Sequence, residues 1–186
     1  MSIFKFVSGI AAVLTLFASA GHTAPWDDYT SYDTLYSRGY WRLDINNHPD
    51  GSQSCESRTV NGEDYVFNMF TLSNGDYVIQ FENEGWDFGA DELNQDFVVE
   101  IDRRGPWNIS GTKTANKIRT VVTPPSDGLS RFFTEVARGL TLYLRNDRGI
   151  EIARFSLRGT SATLNQHRQC ERRIFSGGFR NSDPFN

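Results

Sequence analysis

Tyr65-Val66-Phe67-Asn68-Met69-Phe70-Thr71-Leu72-Ser73-Asn74-Gly75-Asp76-Tyr77-Val78-Ile79-Gln80-Phe81-Glu82 is the stretch on which the fold turns. Two runs rich in aromatic and β-branched residues flank Ser73-Asn74-Gly75-Asp76. Asn-Gly between such runs supplies the positive backbone angles of a type I′ turn, whose handedness suits twisted strands, so the stretch reads as a β-hairpin. Upstream, Trp41, Leu43 and Ile45 alternate with Arg42 and Asp44, the period-2 pattern of a half-buried strand. Asn46-Asn47-His48-Pro49-Asp50-Gly51 breaks that run, and residues 55–60 form the next strand.

Downstream the same logic predicts strands at 97–101, 107–111 and 117–122, the last ended by Pro124-Pro125. Residues 140–144 and 150–157 flank Asn146-Asp147-Arg148-Gly149 as a second hairpin. Two segments carry helical signals. Leu129, Phe132, Phe133 and Val136 recur at helical spacing, with Ser126 or Asp127 as cap and Gly139 as stop. A second helix starts at Thr160 or Ser161, either able to cap it, and runs to about Glu171 with Leu164, His167 and Cys170 on adjoining faces. About eight short antiparallel strands with two short helices predict a mainly β fold, a β-sandwich or open barrel, as a single domain over 39–175.

The N-terminus adds a compartment. Lys5 precedes an apolar run over residues 6–18 that closes on Ala18-Ser19-Ala20, the pattern of a secretory signal peptide over 1–20. The run is too short for the ~20 residues that span a membrane, and no transmembrane segment is expected after its removal. Gly21 is the expected mature start, with cleavage after Ala24 as the alternative. The expected destination is an exported one, periplasmic or secreted. Residues 21–38 carry Trp26, Tyr29, Tyr32 and Tyr36 without regular period and are expected to be an N-terminal extension; residues 176–186, rich in Gly, Ser and Asn, are expected to be a disordered tail.

The two cysteines, Cys55 and Cys170, lie in no C-x-x-C or metal-ligand spacing. In an oxidising compartment they pair, closing most of the domain into one covalent loop. Charge is divided sharply along the chain: residues 21–102 hold 17 acidic residues against three arginines, whereas residues 103–186 hold 15 basic and 6 acidic. A basic face for nucleic acid is one reading of that split. Interleaving of strands from the two halves, with arginine and carboxylate paired across the sheet, is the preferred one. The sequence pI of about 5.4 agrees with it, and nucleic acid is not an expected partner.

The block Phe155-Ser156-Leu157-Arg158-Gly159-Thr160-Ser161-Ala162-Thr163-Leu164 resembles the strand-Gly-helix ending of the invasion-associated locus B family, small exported proteins of Gram-negative bacteria. The resemblance covers about the last third of the chain. It implies a β-sandwich-like envelope protein without enzymatic activity, some members being linked to host-cell entry, and it carries over no site residue.

No catalytic constellation stands out. His22, His48 and His167 sit in no recognised motif, and Gly159-Thr160-Ser161-Ala162-Thr163 lacks the closing Gly of a nucleophile elbow. The acidic segment 82–96 offers oxygens to a hard cation, but its spacing matches no calcium loop, so neither metal nor cofactor is expected. Within it Trp86, Asp87, Phe88 and Asp91 form the candidate partner-binding rim: aromatic faces for stacking beside carboxylates for hydrogen bonds. The expected function is therefore an exported cell-envelope β-domain that binds a protein or glycan of the envelope or host through its loops. The alternative is a small glycan hydrolase in which loop carboxylates such as Asp87 and Asp91 act as acid and base across a sugar.

Overall fold

The computed structural model describes residues 28–176. Within them lie strands β1 (Ser31–Arg38), β2 (Trp41–Asn47), β3 (Gln53–Val60), β4 (Val66–Leu72), β5 (Tyr77–Glu82), β6 (Leu93–Ile101), β7 (Trp107–Thr114), β8 (Lys117–Val122), β9 (Thr141–Asn146) and β10 (Glu151–Ser156). Helix α1 (Asp127–Arg138) precedes β9, and α2 (Thr160–Phe175) follows β10. The fold is mainly antiparallel β with two helices, as the sequence predicts. The signal peptide expected over 1–20 and all but the first residue of the expected tail lie outside the described residues.

The hairpin that decides the fold forms, but with a different turn. Thr71 pairs with Tyr77, Leu72 N donates to Asp76 O at 2.9 Å and Gly75 N to Leu72 O at 2.9 Å. The loop is thus three residues long and only Gly75 within it takes a positive φ, 93°. That is a right-handed turn followed by a left-handed bulge residue, a construction that needs one glycine where type I′ needs two permissive positions. It recurs at His48–Ser52, where Gly51 has φ 81°, and at Asn146–Ile150, where Gly149 has φ 78°.

The strands join in the order β1-β2-β3-β4-β5-β8-β7-β6-β9-β10, an open sheet. The first five form a simple meander. The next three are laid down in reverse, so β8 and not β6 completes β5, through pairs from Tyr77↔Val122 to Glu82↔Lys117. Residues 83–92 must therefore travel past two strands to start β6, and α1 lies in the return crossing from β8 to β9. This interleaving brings opposite charges together across the halves of the chain. Arg119 on β8 reaches Glu92 at 3.3 Å, and Arg145 on β9 reaches Glu100 on β6 at 3.0 Å.

The sheet curls around a main apolar core, with two smaller clusters beside it. Trp41, Phe67, Phe81, Phe97 and Phe155 point inward from five different strands and are at most 2% exposed. Phe67 stacks on Phe81 at 4.9 Å and meets Trp41 edge-on at 6.0 Å. Each such side chain contributes about 2–3 kcal/mol of burial. The edge strands β1 and β10 do not pair with each other. Instead the indole of Trp41 donates to Ser156 O at 3.1 Å, and the amide of Asn61 donates to Arg154 O at 3.1 Å. Side chains thereby draw the free edge of β10 toward β2 and the β3–β4 turn.

Two local expectations change. From Ser31 onward the segment read as an irregular extension is the edge strand β1, paired along β2 from Ser31↔Asn47 to Arg38↔Trp41. A bulge between Thr34 and Tyr36 shifts the register there, and most of the strand is exposed, so no alternation survives in its sequence. Helix α2 begins after Gly159 at φ 99° with no side-chain cap, so neither Thr160 nor Ser161 fills that role; Thr160 instead donates its hydroxyl to Leu157 O. In α1 the reading holds: Ser126 Oγ accepts from Leu129 N, and Leu129, Phe132 and Val136 are buried. Gly139 ends that helix where a Cβ would sit 2.6 Å from Ile101 Cγ2 and 2.8 Å from Leu157 Cδ1. Close approach rather than backbone conformation is what this position demands.

Candidate functional site

The acidic loop is spent largely on structure. Because residues 83–92 cross the end of the curled sheet, Trp86 and Phe88 turn inward and pack on the core. Trp86 meets Tyr65 at 5.6 Å and Phe88 at 5.4 Å. Backbone bonds from Phe88 N to Ala115 O at 2.7 Å and from Ala115 N to Gly89 O at 2.6 Å fix the loop to the β7–β8 turn. Asp87 and Asp91 are left exposed on the outside, Asp87 accepting from Gly89 N at 3.1 Å. Trp86 and Phe88 are thus half-buried against the core, while Asp87 and Asp91 are exposed to solvent. Among the described residues no three of His, Cys, Asp and Glu are grouped to hold a metal ion.

The helices make the better site. Cys55 on β3 is bonded to Cys170 on α2, Cα to Cα 6.0 Å, with both sulfurs fully buried. This fixes α2 across the inner face of β2 and β3, with Leu43, Ile45 and Ile174 around the bridge. One turn before Cys170, His167 lies beneath the helix and only 2% exposed. Its Nδ1 is 2.7 Å from Ser57 Oγ and its Nε2 is 2.8 Å from Thr71 Oγ1. The Thr71 hydroxyl donates to Glu171 Oε1 at 2.8 Å. Since Thr71 spends its one proton on the carboxylate, it accepts from His167, so Nε2 carries the imidazole hydrogen and Nδ1 accepts from Ser57. A directed chain results: Ser57 to His167 to Thr71 to Glu171. Burial, seconded by the charge of Arg168, pushes the His167 pKa down from 6.5 to about 4, so the ring is neutral at physiological pH.

That chain is a fully paired buried network, and Ser57, at 0% exposure, is out of reach of any substrate. Its far end is not sealed. Glu171 and one side of His167 line a cleft of about 280 Å³ between α1 and α2. Leu129, Phe133 and Leu164 supply apolar wall, Tyr77 the floor beside Phe133 at 5.5 Å, and Ser130 and Arg168 the rim. Burial first, then the neighbouring Glu171 charge, pushes the Tyr77 pKa up to about 12, so its hydroxyl keeps its proton. An apolar recess with a few converging polar groups is the usual make-up of a ligand site, and its volume suits one side chain or a small molecule.

On the opposite face of the sheet Glu56, 7% exposed, accepts from Asn46 Nδ2 at 3.0 Å. Burial pushes its carboxyl up from the ordinary value. Around it Asn46 Oδ1, Asn68 Oδ1 and Gln80 Oε1 are buried without a hydrogen-bond partner among the described residues.

No family model, no curated protein and no solved structure matches the chain. The sequence puts His167 on the same helix as Cys170 but shows no sign of its network, nor of Tyr77, Arg168 and Glu171 as lining of a cleft. One signal was available: Leu164, His167 and Glu171 fall at i, i+3 and i+7, on the stripe that α2 turns inward. The partners on β5 and α1 come from remote parts of the chain and leave no local pattern.

Proposed function

We propose that this chain is an exported, non-catalytic envelope domain that binds a protein or glycan partner, and that the cleft between α1 and α2 is where it does so. The observation that carries the reading is the cleft itself: apolar walls converge on a carboxylate that ends a buried, fully paired network. Such an arrangement holds a shape rigidly. The disulfide supports an oxidising compartment. The resemblance of residues 155–164 to the invasion-associated locus B family belongs to the same proposal.

Ser130 is exposed on α1 at the mouth of the cleft. Substituting Ser130→Trp fills the opening while leaving the core untouched. Wild type, used as bait against envelope and culture-medium fractions, is expected to retain a partner that the variant loses, at equal melting temperature. Equal capture by both proteins refutes the assignment of this cleft.

A further inference from the structure

We propose that the cleft accepts a primary α-ammonium group carrying an apolar side chain, as found on the free N-terminus of a partner protein or on an amino acid. This rests on the reading of the cleft as the binding site and adds its chemistry.

Three features of the lining lead there. First, Glu171 supplies negative charge inside the recess, where it accepts from the Thr71 hydroxyl at 2.8 Å and from the Tyr77 hydroxyl. A carboxylate has about four acceptor sites, so two such donors leave it able to meet a cation, and an ammonium adds further hydrogen bonds that neutral hydroxyls such as Ser130 can accept. A ligand carboxylate placed at the same depth meets repulsion. Second, His167 cannot serve as the recognising group, because both of its ring nitrogens are already engaged by Ser57 and Thr71. Third, Leu129, Phe133 and Leu164 surround the space beside Glu171, so the group attached to the ammonium is apolar. Arg168, exposed in the lining one helical turn before Glu171, has its Nη1 on Asn165 at 2.9 Å and keeps further N–H donors that a carbonyl or carboxylate following an α-amine can use.

Calorimetry on the purified, oxidised protein with leucine, Leu-Gly-Gly and N-acetyl-Leu-Gly-Gly tests this. The two free amines are expected to bind, and acetylation, which removes the charge and keeps the side chain, is expected to weaken binding at least tenfold. Tighter binding of leucine than of Leu-Gly-Gly identifies a free amino acid as the natural source; equal or tighter binding of the peptide identifies a chain terminus. Glu171→Gln, which still accepts from Thr71, is expected to abolish the preference for the free amine at unchanged circular dichroism, and Ser130→Trp to abolish binding of every probe. The inference falls if the acetylated peptide binds as well as the free one, if Glu171→Gln keeps the preference, or if no probe binds. Loss of partner capture in Ser130→Trp without any binding of amines leaves the cleft in place and removes only the ligand class.

Discussion

The two faces of β3 bury polar groups in opposite ways. Inward, Cys55 and Ser57 lie under α2 with their polar atoms paired, in the disulfide and in the Ser57–His167–Thr71–Glu171 chain, and only at the start of the strand does Gln53 Oε1 lack a partner among the described residues. Outward, Glu56 shares one hydrogen bond with Asn46, while neighbouring amide oxygens of Asn46, Asn68 and Gln80 find none among the described residues. A buried network strengthens and specifies a fold only when its members are all paired; a half-paired one costs stability. The inner face is therefore expected to lose stability on almost any change, and the outer face to gain from some.

The largest test is covalent. Replacing Cys55 and Cys170 together by alanine removes the bridge and is expected to cost about 4 kcal/mol in urea unfolding, measured against the oxidised protein. A loss below about 1 kcal/mol breaks the comparison, because the inner face would then stand without its bridge. His167→Ala comes next. It strands Ser57 and Thr71 in the interior and opens a cavity, with an expected cost of about 3 kcal/mol.

The same residue predicts a pH effect of known sign. In the unfolded chain His167 binds a proton near pH 6.5, whereas in the folded protein it refuses one until about pH 4. Stability therefore falls as the pH drops from about 6.5 to about 4 and this contribution levels off below. Its full size is on the order of 3 kcal/mol, and the slope should be shallower in His167→Ala when unfolding is followed at pH 7.5 and pH 4.5.

Glu56→Gln turns the outer face the other way. Its carboxyl is harder to ionise when folded than when unfolded, so its charge opposes folding above the folded pKa. The amide is expected to raise stability by about 1 kcal/mol at pH 7.5, fading in acid. The smallest effect belongs to Asp87→Ala with Asp91→Ala, exposed groups whose removal should leave the melting temperature within about 2 °C. A drop beyond that sharpens the contrast by showing the acidic loop to be held from outside as well as by Trp86 and Phe88.

Much of the architecture was legible because local chemistry dictates it. The turn at Asn74-Gly75, the stripe of Leu129, Phe132 and Val136, and the alternation through Trp41, Leu43 and Ile45 each reflect a period or a backbone preference confined to a few residues. What escaped was non-local or deliberately irregular. Strand β1 hid because its bulge at Thr34 and Tyr36 cancels the parity that marks a strand. The neighbour of β5 could not be read, because a period fixes which face a residue takes but not which strand lies alongside. Trp86 and Phe88 lie in the connection that this pairing lengthens, half-buried against the core. The cleft escaped for a related reason: Tyr77, Phe133 and Glu171 become neighbours only once the sheet has curled and Cys170 has fixed α2.

The late arrival of β8 bears on biogenesis. As the polypeptide emerges during synthesis, β1 to β5 can assemble while the complement of Tyr77–Glu82 is still 35 residues away, at Lys117–Val122. Until then Tyr77-Val78-Ile79-Gln80-Phe81-Glu82 presents an unsatisfied backbone rim bearing mostly apolar groups, the kind of template to which nascent neighbours adhere. The concentration of carboxylates in the half synthesised first gives those intermediates a common negative sign, and mutual repulsion holds them apart until the arginine-rich half arrives to neutralise it.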